Sequence, residues 1–302
     1  MFHMMKLFKS VWLFPVTLVL IIACSSNQKE ENETASLEVY DLEATIKAAE
    51  AITPDLTSID QVFDMLDMVD AGYYPVLTND PYSAHGYKSS YSTAAANLGA
   101  YVTDIVYHQY GASSETMFLT FAAAQELAKF IGVESGFASM AIENLEGKLM
   151  KRDSITFLFN NLMQESKKYS SEQEMLFVHT AFLTGSFVEK VHISSSLLKQ
   201  KIRAEEISEE EEGNIRELLV IYLNQLEPAS LLMESYEMQQ EELASIEVAD
   251  NLARLSELAK QLGEEKATLL ESTVRDIRSN QKLQATFDLI SQMRTTIVTA
   301  NT

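Results

Sequence analysis

One stretch constrains the fold more than any other: Tyr91 to Tyr110, Tyr-Ser-Thr-Ala-Ala-Ala-Asn-Leu-Gly-Ala-Tyr-Val-Thr-Asp-Ile-Val-Tyr-His-Gln-Tyr. It reads as a helix without a solvent face. Ala94, Ala95, Ala96 and Gly99 strip bulk from its first half, and aromatics crowd its second half. A helix apolar all round needs neighbours on every side, so it belongs at the centre of a bundle. Asp104 follows Tyr101 by three residues and His108 follows Asp104 by four, so the three share a face. A carboxylate in such company must find a partner. Whether that partner is structural or functional is left open by the residues alone.

Composition agrees with helices throughout. Ten glycines and five prolines in 302 residues leave few turns, below the usual shares of ~7% and ~5%. Hydrophobic content of 46% supplies a core. The expectation is an all-α chain: a multi-helix bundle of antiparallel helical hairpins forming one compact domain over 37–302.

The N-terminus carries a different signal. Lys6 and Lys9 precede an apolar run of 13 residues, Val11 to Ala23, short of the ~20 that span a bilayer. The run ends Leu20-Ile21-Ile22-Ala23-Cys24, which resembles a bacterial lipobox. That resemblance implies a signal peptide over 1–23, cleavage before Cys24, and lipidation of Cys24, including palmitate-type acylation of its amino group. Cys24 is the only cysteine, so no intramolecular disulfide competes for it. Residues 24–36 carry no large apolar side chain and read as a disordered tether. Gln28-Lys29-Glu30-Glu31 resembles the basic-then-acidic export signal of Bacteroidetes lipoproteins, pointing to an outer-membrane, lipid-anchored protein on either the periplasmic or the surface face. The formal charge of -21 falls to -23 once Lys6 and Lys9 leave with the signal. Such a surface repels phosphates, so nucleic acid is not an expected partner.

Helical spacing organises the remainder. Val39 to Ala49 closes at Pro54, and Ser58 to Gln61 offers a capping box for a helix ending at Gly72. Residues 72–88 form the longest irregular stretch, with Tyr73, Tyr74, Tyr82 and Tyr87. They read either as a ligand or partner loop or as a plug for the bundle's open end. Ser89 or Ser90 should cap the Tyr91 helix, and Ser113 or Ser114 the next, which stops at Gly132. A pair at about 135–149 and 154–168 follows, with Asp153 as cap. Ser171 to Glu174 opens a long helix through Leu198, and the acidic run Glu205–Gly213 reads as a solvated helix end or turn rather than a binding site. Stretches at 214–227, 229–261 and 265–299 complete the chain, the last with Arg275, Arg278, Lys282 and Arg294 as a basic tint.

Two segments echo each other: Leu98-Gly99-Ala100-Tyr101-Val102 and Thr184-Gly185-Ser186-Phe187-Val188, each with an acid close behind, Asp104 and Glu189. Small residues let backbones approach, so these helices are expected to cross at their glycines. The set Leu98, Gly99, Tyr101, Asp104 and Tyr107, with Gly185, Phe187 and Glu189, resembles a group of uncharacterised helical lipoproteins of Bacteroidetes. Ser186 stands where that pattern has glycine, and His192 where it has an apolar or tyrosine residue. The resemblance implies an exported helical bundle and carries no known activity.

For chemistry, Glu189-x-x-His192 and Asp104-x-x-x-His108 are weak candidates for a zinc, iron or manganese site. The alternative has both carboxyls as internal hydrogen-bond acceptors. No nucleophile motif or phosphate loop is present, and no cofactor is implied. The expectation is therefore a non-enzymatic, envelope-anchored module that binds a protein or small ligand. The alternatives are a metal-binding bundle protein or enzyme, and a structural envelope component.

Overall fold

A computed structural model describes residues 66–67, 73–138, 147, 151–173 and 175–299. The chain divides into two units, Met1–Val39 and Tyr40–Thr302, and every described residue lies in the second. The signal, Cys24, the tether, the two first helices apart from Leu66 and Asp67, and most of 135–149 lie outside the described residues.

The described residues are helical, with no strand among them. In order they are α1 Tyr91–His108, α2 Ser114–Ile131, α3 Arg152–Glu172, α4 Leu176–Ile202, α5 Glu209–Leu226, α6 Ala229–Glu237, α7 Gln240–Leu243, α8 Ala249–Glu271, α9 Val274–Ser279 and α10 Gln281–Val298, with short 3-10 turns between some of them. None is long and apolar enough to cross a membrane.

Two helices are buried along nearly their whole length. In α1 every residue after Tyr91 is buried, as the missing polar face requires. Its main neighbour is α4, itself buried from Val178 to Leu198 but for His192 and Ser196. They touch backbone to backbone at the expected glycines. A Cβ on Gly99 would run into the Phe182 carbonyl and lie 2.7 Å from Ser186 N. One on Gly185 would strike the Ala96 carbonyl. Thr103 pins the crossing: its hydroxyl donates to Gly99 O at 3.0 Å and lies 3.1 Å from Ser186 Oγ. The remaining sides of α1 are covered mainly by α2 and the 3-10 turn Pro81–Ser89, and those of α4 by α3, α5 and α10.

Helix ends follow local chemistry where a polar cap is at hand. Ser90 and Ser113 accept from the backbone N–H of Thr93 and Thr116, at 3.0 and 3.1 Å, and Gly132 ends α2 in the left-handed region at φ 86°. Ser208 and Glu211 form a capping box, so Glu209–Glu212 occupy the first turn of α5, where the helix dipole favours negative charge. Arginines close other ends: Arg216 donates to Leu270 O and Arg278 to Ile202 O, each supplying a donor to a terminal carbonyl.

Four expectations are corrected. Of the stretch expected to be irregular, the described part is largely wound into 3-10 turns, Pro75–Leu77 and Pro81–Ser89, with 73–74 and 78–80 outside them. Asp153 does not cap α3, which begins at Arg152 without a side-chain cap. Ser171 and Glu172 end α3 rather than opening the long helix; Ser170 Oγ accepts from His179 N at 3.1 Å and so serves the start of α4. Finally, the 229–261 stretch breaks between Met238 and Val248, with Glu247 at φ 50°, whereas α8 runs unbroken through Gly263 to Glu271. Gly263 faces open space, so its weak propensity, about 1 kcal/mol, is its only effect on that helix.

Candidate functional site

The glycine crossing decides where the acids go. Asp104 lies five residues beyond Gly99, and Glu189 four beyond Gly185, so close approach of α1 and α4 brings both carboxyls to one place. Neither sees solvent, Asp104 being 0% and Glu189 1% exposed. Arg294 of α10 reaches them, its Nε donating to Glu189 Oε1 and Oε2 at 3.1 and 3.0 Å. Its Nη2 continues to Leu77 O at 3.2 Å and Asn79 Oδ1 at 2.9 Å. The Asn79 backbone N–H donates to Asp104 Oδ2 at 3.0 Å. One step along the turn, Tyr101 Oη donates to Asp80 O at 2.7 Å.

The electrostatics follow from burial. Loss of water pushes the Asp104 pKa well up, and the neighbouring Glu189 charge pushes it further; Asn79 N–H and Arg294 oppose both. Burial also raises Glu189, against the lowering pull of Arg294. The Tyr101 phenol is raised, chiefly by burial.

His108 does not join this group. His108 Nδ1 lies 2.9 Å from Tyr73 Oη and Nε2 2.9 Å from Thr120 Oγ1. Thr120 spends its hydroxyl proton on Thr116 O, so it accepts from Nε2–H, and Tyr73 donates to Nδ1. Both ring nitrogens are thereby used, and burial lowers His108 to about 4. His192 is lowered to about 3 by burial first and by Arg294 next. On Glu189 itself, both carboxylate oxygens are engaged by the Arg294 guanidinium. Among the described residues no group of three or more histidine and acidic side chains is placed to hold a metal.

The four tyrosines of 72–88 divide. Tyr73 bonds His108 and packs on Tyr107 at 5.3 Å between ring centroids. Tyr74 donates its N–H to Tyr107 Oη at 3.0 Å and accepts from Gln200 Nε2 at 2.6 Å. Tyr87 is buried and donates to Val298 O at 2.8 Å. Tyr82 alone of the four stands out in solvent, 77% exposed, with Val76 of the preceding turn at 81%.

The sequence shows Arg294 only as part of a basic tint, and neither its role nor that of Asn79 at the acids is read from it. The signal for Arg294 was present: Phe287, Ile290, Arg294 and Ile297 fall at one helical stripe, an arginine on an otherwise apolar face. Asn79 offered none, since its contribution is a backbone N–H to Asp104 and a side-chain Oδ1 to Arg294, both placed by a turn. Compared with known proteins, the chain matches no family model, and neither a curated protein nor a solved structure is significantly similar to it.

Proposed function

We propose that this chain is a lipid-anchored lipoprotein of the bacterial outer membrane whose helical body is a non-enzymatic binding module. The lipobox-like end at Cys24, the tether to residue 36 and the likeness to helical Bacteroidetes lipoproteins support the anchor. In this reading 37–302 forms one domain of antiparallel helical hairpins, held off the membrane by the tether. The observation that carries the binding role is a division of labour. Asp104, Glu189 and His108 are withdrawn from solvent and hydrogen-bonded or paired, while Val76 of the turn Pro75–Leu77 and Tyr82 of the turn Pro81–Ser89 are exposed. Groups in the first set are shut off from a substrate; the second set is exposed apolar surface available to a protein or ligand.

The test combines fractionation with capture. Cys24→Ala should abolish acyl labelling and release the protein from membranes; retention on the membrane contradicts the anchor. Full-length protein with Val76→Ser and Tyr82→Ser should keep its unfolding midpoint and lose the envelope partner that wild type recovers. Equal recovery by the double variant, or none by wild type, contradicts the binding role.

A further inference from the structure

Two carboxyl groups and one guanidinium meet at Asp104, Glu189 and Arg294, the two acids shut off from solvent and the Arg294 side chain 15% exposed. With both acids ionised, the cluster would hold a surplus negative charge in low dielectric, among the costliest things a fold can bury. The hydrogen bonds expose the same deficit. Arg294 serves both Glu189 oxygens, and Asn79 N–H serves Asp104 Oδ2, but Asp104 Oδ1 meets no donor. A carboxyl proton removes both faults together. Placed on Oδ1, it donates to the Glu189 carboxylate, leaving a neutral acid beside a balanced Glu189–Arg294 pair.

We propose that Asp104 and Glu189 hold one shared proton at neutral pH, with Asp104 as the donor, and that this proton fastens the 77–80 turn to the helices. The turn is tied to the cluster at Leu77 O and at Asn79 through both its N–H and its side chain, and to α1 beside it at Asp80 O through Tyr101. Losing the proton sets two carboxylates against one guanidinium. The strain is relieved by lifting the turn and admitting water, which frees Asn79 N–H.

The surrounding groups leave this proton to act alone. From the turns, Tyr73 and Tyr87 are phenols raised by burial and further by Asp104, and Asp80 adds negative charge near Tyr101. From α1, Tyr101 is likewise raised. From α4, His192 stays neutral down to about 3. From α10, Arg294 supplies a permanent positive charge. None of these histidine or tyrosine groups exchanges a proton between weakly acid and moderately alkaline pH. The inference holds whatever the body binds.

Infrared spectroscopy of the whole protein tests it. Near neutral pH, where surface acids are ionised, wild type should show the carbonyl stretch of a neutral carboxylic acid. The band should shift when the aspartate carboxyls are labelled with carbon-13, and Asp104→Asn should lack it. Asparagine keeps the shape and an N–H donor toward Glu189. The labelling arm needs no variant, so it stands even if Asp104→Asn folds poorly. Raising the pH should remove the band and, at the same midpoint, the hydrogen-exchange protection of the Asn79 amide. Absence of the band near neutral pH overturns the shared proton; a band whose loss leaves Asn79 protected overturns the fastening.

Discussion

His179 shows how far burial governs single residues here. It is 2% exposed, its Nδ1 lies 2.9 Å from Ser166 Oγ, and desolvation followed by Lys167 lowers it to about 4. His108 and His192 are lowered in the same direction, to about 4 and about 3. A histidine depressed in the native state binds fewer protons there than in the unfolded chain. Its stabilising effect is therefore complete above the unfolded value of about 6.5 and is lost as pH falls toward the native value. Each such histidine contributes up to about 1.4 kcal/mol per pH unit in that window. Urea denaturation of His179→Gln should show a shallower decline between pH ~6.5 and ~4 than wild type; parallel declines would contradict the burial account. Asp104 acts in the opposite sense. Its raised native pKa makes stability fall with rising pH, from the unfolded value near 4 up to the native one. None of this was legible residue by residue. The sequence marks Asp104 and Glu189 as acids among apolar neighbours, but Arg294 is 105 positions from Glu189, and only the folded packing pairs them.

Elements divide by whether their limits are set locally. The caps at Ser90 and Ser113 and the stop at Gly132 are local, and the sequence shows them. The close approach of α1 and α4 was also legible, because Gly99 and Gly185 each sit in a run of small residues on an apolar helix. The breaks near Met175, Met238 and Ser272 were not. They are fixed by contacts such as Tyr236 Oη to Leu243 O at 2.7 Å and Arg216 to Leu270 O at 3.0 Å, which depend on partners brought up by the fold. The crossing yields a sharp expectation. Gly185→Ala would drive a methyl into the Ala96 carbonyl, and backbone cannot rotate away as a side chain can. The loss should reach or exceed the ~1–3 kcal/mol typical of overpacking. Gly263→Ala, on an open face of α8, should instead be neutral or stabilising. Similar unfolding midpoints for the two variants would refute the glycine-mediated contact.

At the scale of the whole molecule, the cluster ties together parts of the chain far apart in sequence: the turn at 77–80, α1, α4 and the C-terminal α10. Asn97 and Tyr87 reinforce the same join by donating to Ile297 O and Val298 O at 2.8 Å each, closing the end of α10 onto α1 and the turn before it. The two carboxyls offered by helical spacing as metal candidates, Asp104 and Glu189, are engaged in this join by Asn79 N–H and Arg294. The most direct measurement is equilibrium urea unfolding of Arg294→Met at neutral pH. Methionine keeps much of the arginine stem's bulk and removes only the charge and its hydrogen bonds. If Arg294 holds the buried acids, the variant should lose about 3–5 kcal/mol, the cost of leaving a buried charge without its partner. A stability within about 0.5 kcal/mol of wild type, the range of an ordinary surface change, would contradict the account.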